Sequence, residues 1–538
     1  MGLPPFSNEP LLNFAAPEEQ ARMAQVRRAI APRLGAQYPL IIGGQAVETQ
    51  DHLAAVCPDA PSELIGSTAL ASAEHAQQAV GAALEAFEAW SRVSVAERAA
   101  LLLRAGHILR LRRRELLIWM ALEVGKNFDQ ADGELAEAID HFEWNARQLY
   151  RWSEGKPIHP IDTEMNEYRY RPLGVGVVIS PWNFPATLPL GMVVAAVAAG
   201  NTVVLKPSEQ ASVIACHLVQ VLIDAGFPPG VVNLVTGGGP VVGEALAADP
   251  RVRFVAFVGS RAVGVHLAAQ VSKVPPGQTH LKRLMTEMGG KNATIVTGSA
   301  DFEWAVAEVV RSALGYQGQK CSATSRIICL PELRDRFVEA VAERMRDTAR
   351  QRGRAVDNRP FGAVITPQAR TKVEQYVAAA GDQGSVVLRG QRDEELGYCV
   401  TPTLVDHVAV DAPLAQDEIF GPVVAVIDAD GLQSAVEIAN QVPYALTGAA
   451  FARDPAELDY IREHFYVGNL YLNRSSTGAM AGVHPFGGYK LSGTGPKVGG
   501  PDYLGFFLEA QVITEAVRWP ASQQPTADVS REGSPCSG

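Results

Sequence analysis

The chain has 538 residues, 47% of them apolar and 20% charged, and a formal net charge of -11. That length exceeds what one core needs and implies two or three domains, with the composition of an ordinary globular enzyme. The acidic balance excludes a phosphate-backbone partner, so no nucleic acid is expected. The most apolar run, 188–200, is too short and too rich in alanine for membrane insertion.

Six scattered cysteines (Cys57, Cys216, Cys321, Cys329, Cys399, Cys536) show no paired short spacing. Neither a disulfide framework nor a metal site is expected, and a reducing, cytoplasmic setting is. The N-terminal residues carry no basic-then-apolar secretory pattern.

In chain order, 1–38 reads as an arm with an amphipathic piece over 22–34. Residues 38–44 predict a strand closing on the Gly43-Gly44 turn, and 74–119 predict helix, with Ser94 and Glu97 spaced as a capping box. The basic run Arg110-Leu111-Arg112-Arg113-Arg114 reads as a solvated helix face. From Gly174, β-branched runs at 176–179, 202–205, 231–235 and 254–258 alternate with helical segments. One of these is capped by Ser208 and reaches Asp224, a short one covers 242–247, and another starts at Ala262. That rhythm means right-handed crossovers and a parallel sheet that binds a dinucleotide at its carboxyl ends.

A second α/β stretch over about 289–470 carries Cys321. Residues 168–171 and 504–512 look like exposed strands whose edges pair with another chain. The last stretch, 519–538, reads as a disordered tail. No internal repeat is present.

Three groups carry the chemistry: Cys321 in Gly318-Gln319-Lys320-Cys321-Ser322-Ala323, Asn183 in Ser180-Pro181-Trp182-Asn183-Phe184-Pro185, and Glu287 in Glu287-Met288-Gly289-Gly290-Lys291-Asn292. A thiolate adds to an aldehyde carbon, an amide beside a backbone N–H stabilises the alkoxide, and a carboxylate activates water against the thioester. Taken singly, Cys321 reads as a buried small hydrophobe, Asn183 as a turn residue and Glu287 as a surface carboxylate. Their combination overrides those readings, whereas Cys329 and Cys399, among apolar neighbours, stay structural.

These segments, with Glu418-Ile419-Phe420-Gly421-Pro422 and Pro485-Phe486-Gly487-Gly488, resemble the aldehyde dehydrogenase superfamily over about 40–515. The wording of Gly318–Ala323, of Thr477-Gly478-Ala479 and of Lys490–Lys497 is similar to its 1-pyrroline-5-carboxylate dehydrogenase branch. The resemblance implies an α/β fold of the aldehyde dehydrogenase kind, with a Rossmann-type NAD domain (39–154 and 177–288), a catalytic domain (289–480) and a small β flap for oligomerisation (155–176 and 500–518). It implies NAD-dependent oxidation of L-glutamate gamma-semialdehyde to glutamate in proline and arginine catabolism.

For the cofactor, Gly237-Gly238-Gly239-Pro240-Val241-Val242-Gly243 does not fit G-x-G-x-x-G, a departure the superfamily shares. By resemblance Lys206 and Glu209 take the adenosine ribose, where a carboxylate favours NAD over NADP. Gly259, Ser260 and Gly264 open a helix toward the pyrophosphate. Ser180, Trp182, Ser208, Gly237 and Gly243 join this set, while Glu418 holds the nicotinamide ribose with Phe420 beside it. For the substrate, Ser322, Gly478 and Ala479 anchor the carboxylate, and Phe184 and Phe486 sandwich the aliphatic chain; otherwise such aromatics read as core. His484 is read as structural.

Alternatives are another semialdehyde or an aromatic aldehyde as substrate, or a non-catalytic structural protein on the same fold. A coenzyme-A-acylating relative has no use for Glu287. The expected partners are the small-molecule semialdehyde, at least one further copy of the chain, and a separate proline dehydrogenase, for which 538 residues leave no added domain.

Overall fold

A computed structural model describes residues 3–517, so the expected tail lies outside the described residues. Two large sheets organise the chain. The first has eight strands in the order Gly493–Thr494, Arg283–Glu287, Val252–Val258, Val175–Ile179, Thr202–Lys206, Val232–Leu234, Leu40–Ile42, Gln45–Val47. Its five central strands are parallel, and the edges are antiparallel. Strand order reverses between Val175–Ile179 and Val252–Val258, which opens a crevice where their carboxyl ends diverge.

The second sheet has seven strands in the order Ser385–Leu388, Thr403–Asp406, Val423–Asp428, Thr324–Cys329, Asn292–Val296, Thr447–Phe451, Asn469–Leu472. Only Ser385–Leu388 is antiparallel. The fully buried faces explain the near-continuous apolar runs. Cys329 and Cys399 are buried among those apolar side chains. Among the described residues, no helix is long and apolar enough to cross a membrane.

Several local expectations shift. The helical stretch 74–119 is two helices, Ala73–Trp90 and Val95–Val124, the second starting at the expected Ser94–Glu97 capping box. Ser208 is not a cap, since its hydroxyl bonds the Gln210 side chain. The helix Ser212–Asp224 instead has its Val213 and Ile214 amides bonded at 2.7 Å by buried Glu123, from the end of Val95–Val124. A carboxylate reaching from a neighbouring helix does the work of a local cap.

The strand expected over 504–512 begins later. Tyr503–Phe507 is a short 3-10 turn, after which Leu508–Ala516 pairs antiparallel with Glu164–Pro172 over nine residue pairs. The two expected strands therefore pair with each other.

The basic run is not a solvated face. Arg113, 4% exposed, pairs with Asp132 (2.6 Å) and Glu9, Arg110 with Glu9 and Glu143, and Arg114 with Glu19. Their acidic partners lie on the arm and on the helix Phe128–Ser153, so these cations clamp the arm to the body. Within the arm the amphipathic helix is Pro17–Ile30, with Met23 and Ile30 buried.

Candidate active site

The helix Phe302–Leu314 ends at Gly315, and the next residues turn sharply. Tyr316 and Gln317 both adopt φ 55° and Gly318 φ 72°, a left-handed run that non-glycine residues adopt only when their surroundings compel it. The Tyr316 hydroxyl donates to the Val124 carbonyl and pins the turn. Cys321 follows, partly exposed, just before the strand Thr324–Cys329. Its carbonyl accepts from Asn292 Nδ2 at 2.7 Å, and the Ser322 carbonyl accepts from Ser476 at 2.8 Å.

Glu287 ends the strand Arg283–Glu287, 7% exposed, with its carboxyl against the Cys321 thiol. Burial pushes this carboxyl up to about 7. Burial also raises the thiol well above its ordinary range, and the adjoining Glu287 carboxylate raises it further. Glu287 Oε1 finds no hydrogen-bond partner among the described residues. The residue lines a small cavity with Met192, Phe486 and Tyr503. The segment after it is zipped to the 490s, with Glu287 opposite Gly493 and the Met288 amide bonded to the Ser492 carbonyl at 2.8 Å.

Asn183 is 4% exposed, and its Nδ2 donates to the Gln319 carbonyl at 3.1 Å, two residues before the nucleophile. One N–H is thereby used to dock the amide beside Cys321, which leaves the other to donate elsewhere. The Asn183 carbonyl accepts from Lys126 Nζ at 2.6 Å. Lys126 is fully buried, bonds Glu134, and stands 3.9 Å above the Phe184 ring. Glu134 in turn accepts from the Ala186 and Thr187 amides at 2.6 and 3.2 Å.

At the carboxyl ends of the first sheet lies a cleft of about 730 Å³, lined by Ser180, Trp182, Lys206, Ser208, Glu209, Gly243, Gly259 and Ser260 among others. Lys206 Nζ makes one bond, to the Pro207 carbonyl at 3.0 Å, and burial lowers it to about 8. The ammonium thus keeps donors for a ligand hydroxyl, with the exposed Glu209 carboxylate on the same wall. Ser260 caps the helix Arg261–Val271, whose first turn faces the cleft. A ribose between Lys206 and Glu209 with a pyrophosphate at this helix fits NAD.

Two further expected cofactor glycines are close-packed: a Cβ on Gly237 would meet Val242 at 2.7 Å, and one on Gly264 would meet Met288 at 2.4 Å. Glu418 accepts from the Gly290 amide at 2.9 Å, and Phe420 meets the Trp182 ring edge-on at 5.6 Å, which joins the far wall to the cleft.

Of the substrate set, Phe184 and Phe486 are partly exposed, and Ser322 is buried next to Cys321. The bond from Ser476 to the Ser322 carbonyl brings the 477–479 segment to the nucleophile. Gly478 (φ +82°) is exposed and Ala479 partly so. Arg474 Nη2 donates to the Thr477 and Gly478 carbonyls at 3.1 and 2.9 Å, and its Nη1 lies 3.0 Å from His484 Nε2. His484 therefore braces the loop, in keeping with a structural part.

Sequence reasoning missed Lys126, Glu134 and Arg474. For Lys126 and Glu134 the available signal was the acidic residues Glu134, Glu137 and Asp140, interleaved with Leu135, Ala136, Ala138 and Ile139. On a buried helix such carboxylates require partners.

The sequence model of the aldehyde dehydrogenase family matches residues 46–513. The 1-pyrroline-5-carboxylate dehydrogenase of Geobacillus thermodenitrificans is 42% identical over 512 residues, covering 95% of this chain and 99% of its own. A crystal structure of 1-pyrroline-5-carboxylate dehydrogenase from Thermus with bound NAD superposes with a TM-score of 0.94 at 43% identity, over 96% of this chain and all of that one. Proline utilization A from Bdellovibrio bacteriovorus matches with a TM-score of 0.93 at 40% identity, over 95% of this chain and 53% of that longer one. With a family match across most of its length and relatives this similar, the chain belongs to the aldehyde dehydrogenase family.

Proposed function

We propose that the chain oxidises L-glutamate gamma-semialdehyde, the open form of 1-pyrroline-5-carboxylate, to L-glutamate with NAD. The observation that carries this reading is the meeting of three groups. The Glu287 carboxyl stands against the Cys321 thiol, and the Asn183 amide is docked on the carbonyl of Gln319.

The Glu287 carboxylate takes the thiol proton as sulfur adds to the aldehyde carbon. The alkoxide that forms accepts from the second Asn183 N–H and the Cys321 backbone amide. Lys206, Glu209 and the helix start at Ser260 would hold NAD, which would supply the acceptor for the hydride leaving this carbon. Glu287 gives up the thiol proton to solvent and, again a carboxylate, removes a proton from water as the water adds to the thioester; the carbon–sulfur bond breaks, and that proton passes to the departing sulfur, which restores the thiol. Ser322, Gly478 and Ala479 hold the substrate carboxylate, Phe184 and Phe486 its methylenes, and Glu418 and Phe420 the nicotinamide side of the cofactor.

The strand pair Glu164–Pro172 and Leu508–Ala516 serves assembly into at least a dimer, and a proline dehydrogenase supplies the substrate. The likeness to the longer proline utilization A supports such coupling. The test is NADH formation with glutamate semialdehyde, succinate semialdehyde and propanal at equal concentration. Clear preference for the first is expected, and equal or faster turnover of the others sinks the substrate assignment.

A further inference from the structure

The loop 477–484 is held from outside by the N-terminal arm. Asn8 Nδ2 donates both to the Ala481 carbonyl (3.0 Å) and to Asp140 Oδ2 (2.7 Å), and Asp140 Oδ1 accepts from the Glu9 amide at 2.7 Å. One arm amide, 473 residues from Ala481 in sequence, thus ties the loop to the helix Phe128–Ser153.

Beside it, Phe6 packs edge-on against Trp144 with ring centroids 5.2 Å apart. The two rings close on Gly482, where a Cβ would lie 2.9 Å from each. Gly482 also has φ +77°, so no other residue fits there without strain. Arg147 fixes the start of the arm through the Pro4 carbonyl at 2.8 Å. The loop is therefore pinned at Thr477 and Gly478 by Arg474, and at Ala481 and Gly482 by the arm.

We propose that the N-terminal arm sets substrate selectivity, with Asn8 and Phe6 as positioning residues that hold the 477–482 backbone in the attitude needed to bind the α-carboxylate of the aldehyde. This rests on the reading of Gly478 and Ala479 as the carboxylate anchor. Neither Asn8 nor Phe6 belongs to the reacting set of Cys321, Glu287 and Asn183. Their loss loosens recognition of the carboxylate and leaves the carbon–sulfur chemistry intact. A site held by backbone amides depends on loop geometry more than one held by a long charged side chain, which re-aims itself.

The experiment compares Asn8→Ala and Phe6→Ala with the wild-type chain, using glutamate semialdehyde and propanal in parallel, with NAD binding followed by fluorescence. For each variant KM for glutamate semialdehyde is expected to rise about fivefold or more, as for loss of a tethering bond, with kcat for propanal and NAD affinity unchanged. Competitive inhibition by the product glutamate weakens in the same proportion. An unchanged KM in both variants, or equal losses on both aldehydes, overturns the proposal. The wild-type chain separates this from the parent reading: if it does not prefer glutamate semialdehyde to propanal, the anchor assignment itself has failed.

Discussion

At the residue scale, Glu287 faces two demands that pull in opposite directions. Burial lifts its carboxyl to about 7, far above the usual carboxylate range, which favours the protonated form. Only the carboxylate can take a proton from water or thiol. Turnover is therefore expected to rise with pH through about 7, as the carboxyl loses its proton. Glu287→Gln removes that limb and, with neither the thiol nor water deprotonated by this carboxylate, slows both the first formation of NADH and steady turnover about a hundredfold or more. A burst followed by steady turnover at the wild-type rate contradicts the role. The three groups that the structure brings together, Cys321, Glu287 and Asn183, were legible in the sequence because each sits in a short stretch whose chemistry is local. At Gly237 and Gly264 the structure adds a demand the sequence did not show, because a Cβ there would meet Val242 or Met288.

At the scale of elements, the loop that carries Asn183 is held by the helix Phe128–Ser153. Lys126 and Glu134 form a fully buried pair, bonding the Asn183 carbonyl and the Ala186 and Thr187 amides. Breaking such a pair by removing one partner costs about 3–5 kcal/mol, because the other charge stays buried. Lys126→Met is expected to lower the melting temperature sharply. Lys126→Met combined with Glu134→Gln recovers much of that stability while kcat stays down by about a hundredfold, as for a displaced oxyanion donor. Recovery of both together shows that the pair contributes only stability. The acidic residues of that helix signalled that buried partners were needed, but not which ones, since Lys126 bonds a carbonyl 57 residues away. The arginine run failed the same way: its acidic partners Glu9 and Glu19 lie about a hundred residues upstream.

At the scale of the molecule, the alternation of strands and helices gave the parallel sheet and its crevice in advance, because crossover handedness leaves few other solutions. The flap was recognisable as two strands, but their pairing with each other was not. That pair presents Met165 and Val512, 63% and 58% exposed, which are large apolar side chains on a thin sheet. Met165→Asp and Val512→Asp, singly and together, are expected to shift the mass in light scattering toward a smaller species. The register places the two on opposite faces of the pair, and an unchanged mass in the double variant rules out both faces as the contact between copies.

The bond from Asn8 to Ala481 and the pairing of Glu287 with Gly493 also bear on the order in which a working enzyme comes into being. Both join chain positions hundreds of residues apart, so the loop-closure entropy falls due only when almost all of the polypeptide is available. A nascent chain released before residue 493 can build most of both sheets yet lacks the strand that covers Glu287. Competence for catalysis thus has to wait until nearly the whole chain has been synthesised.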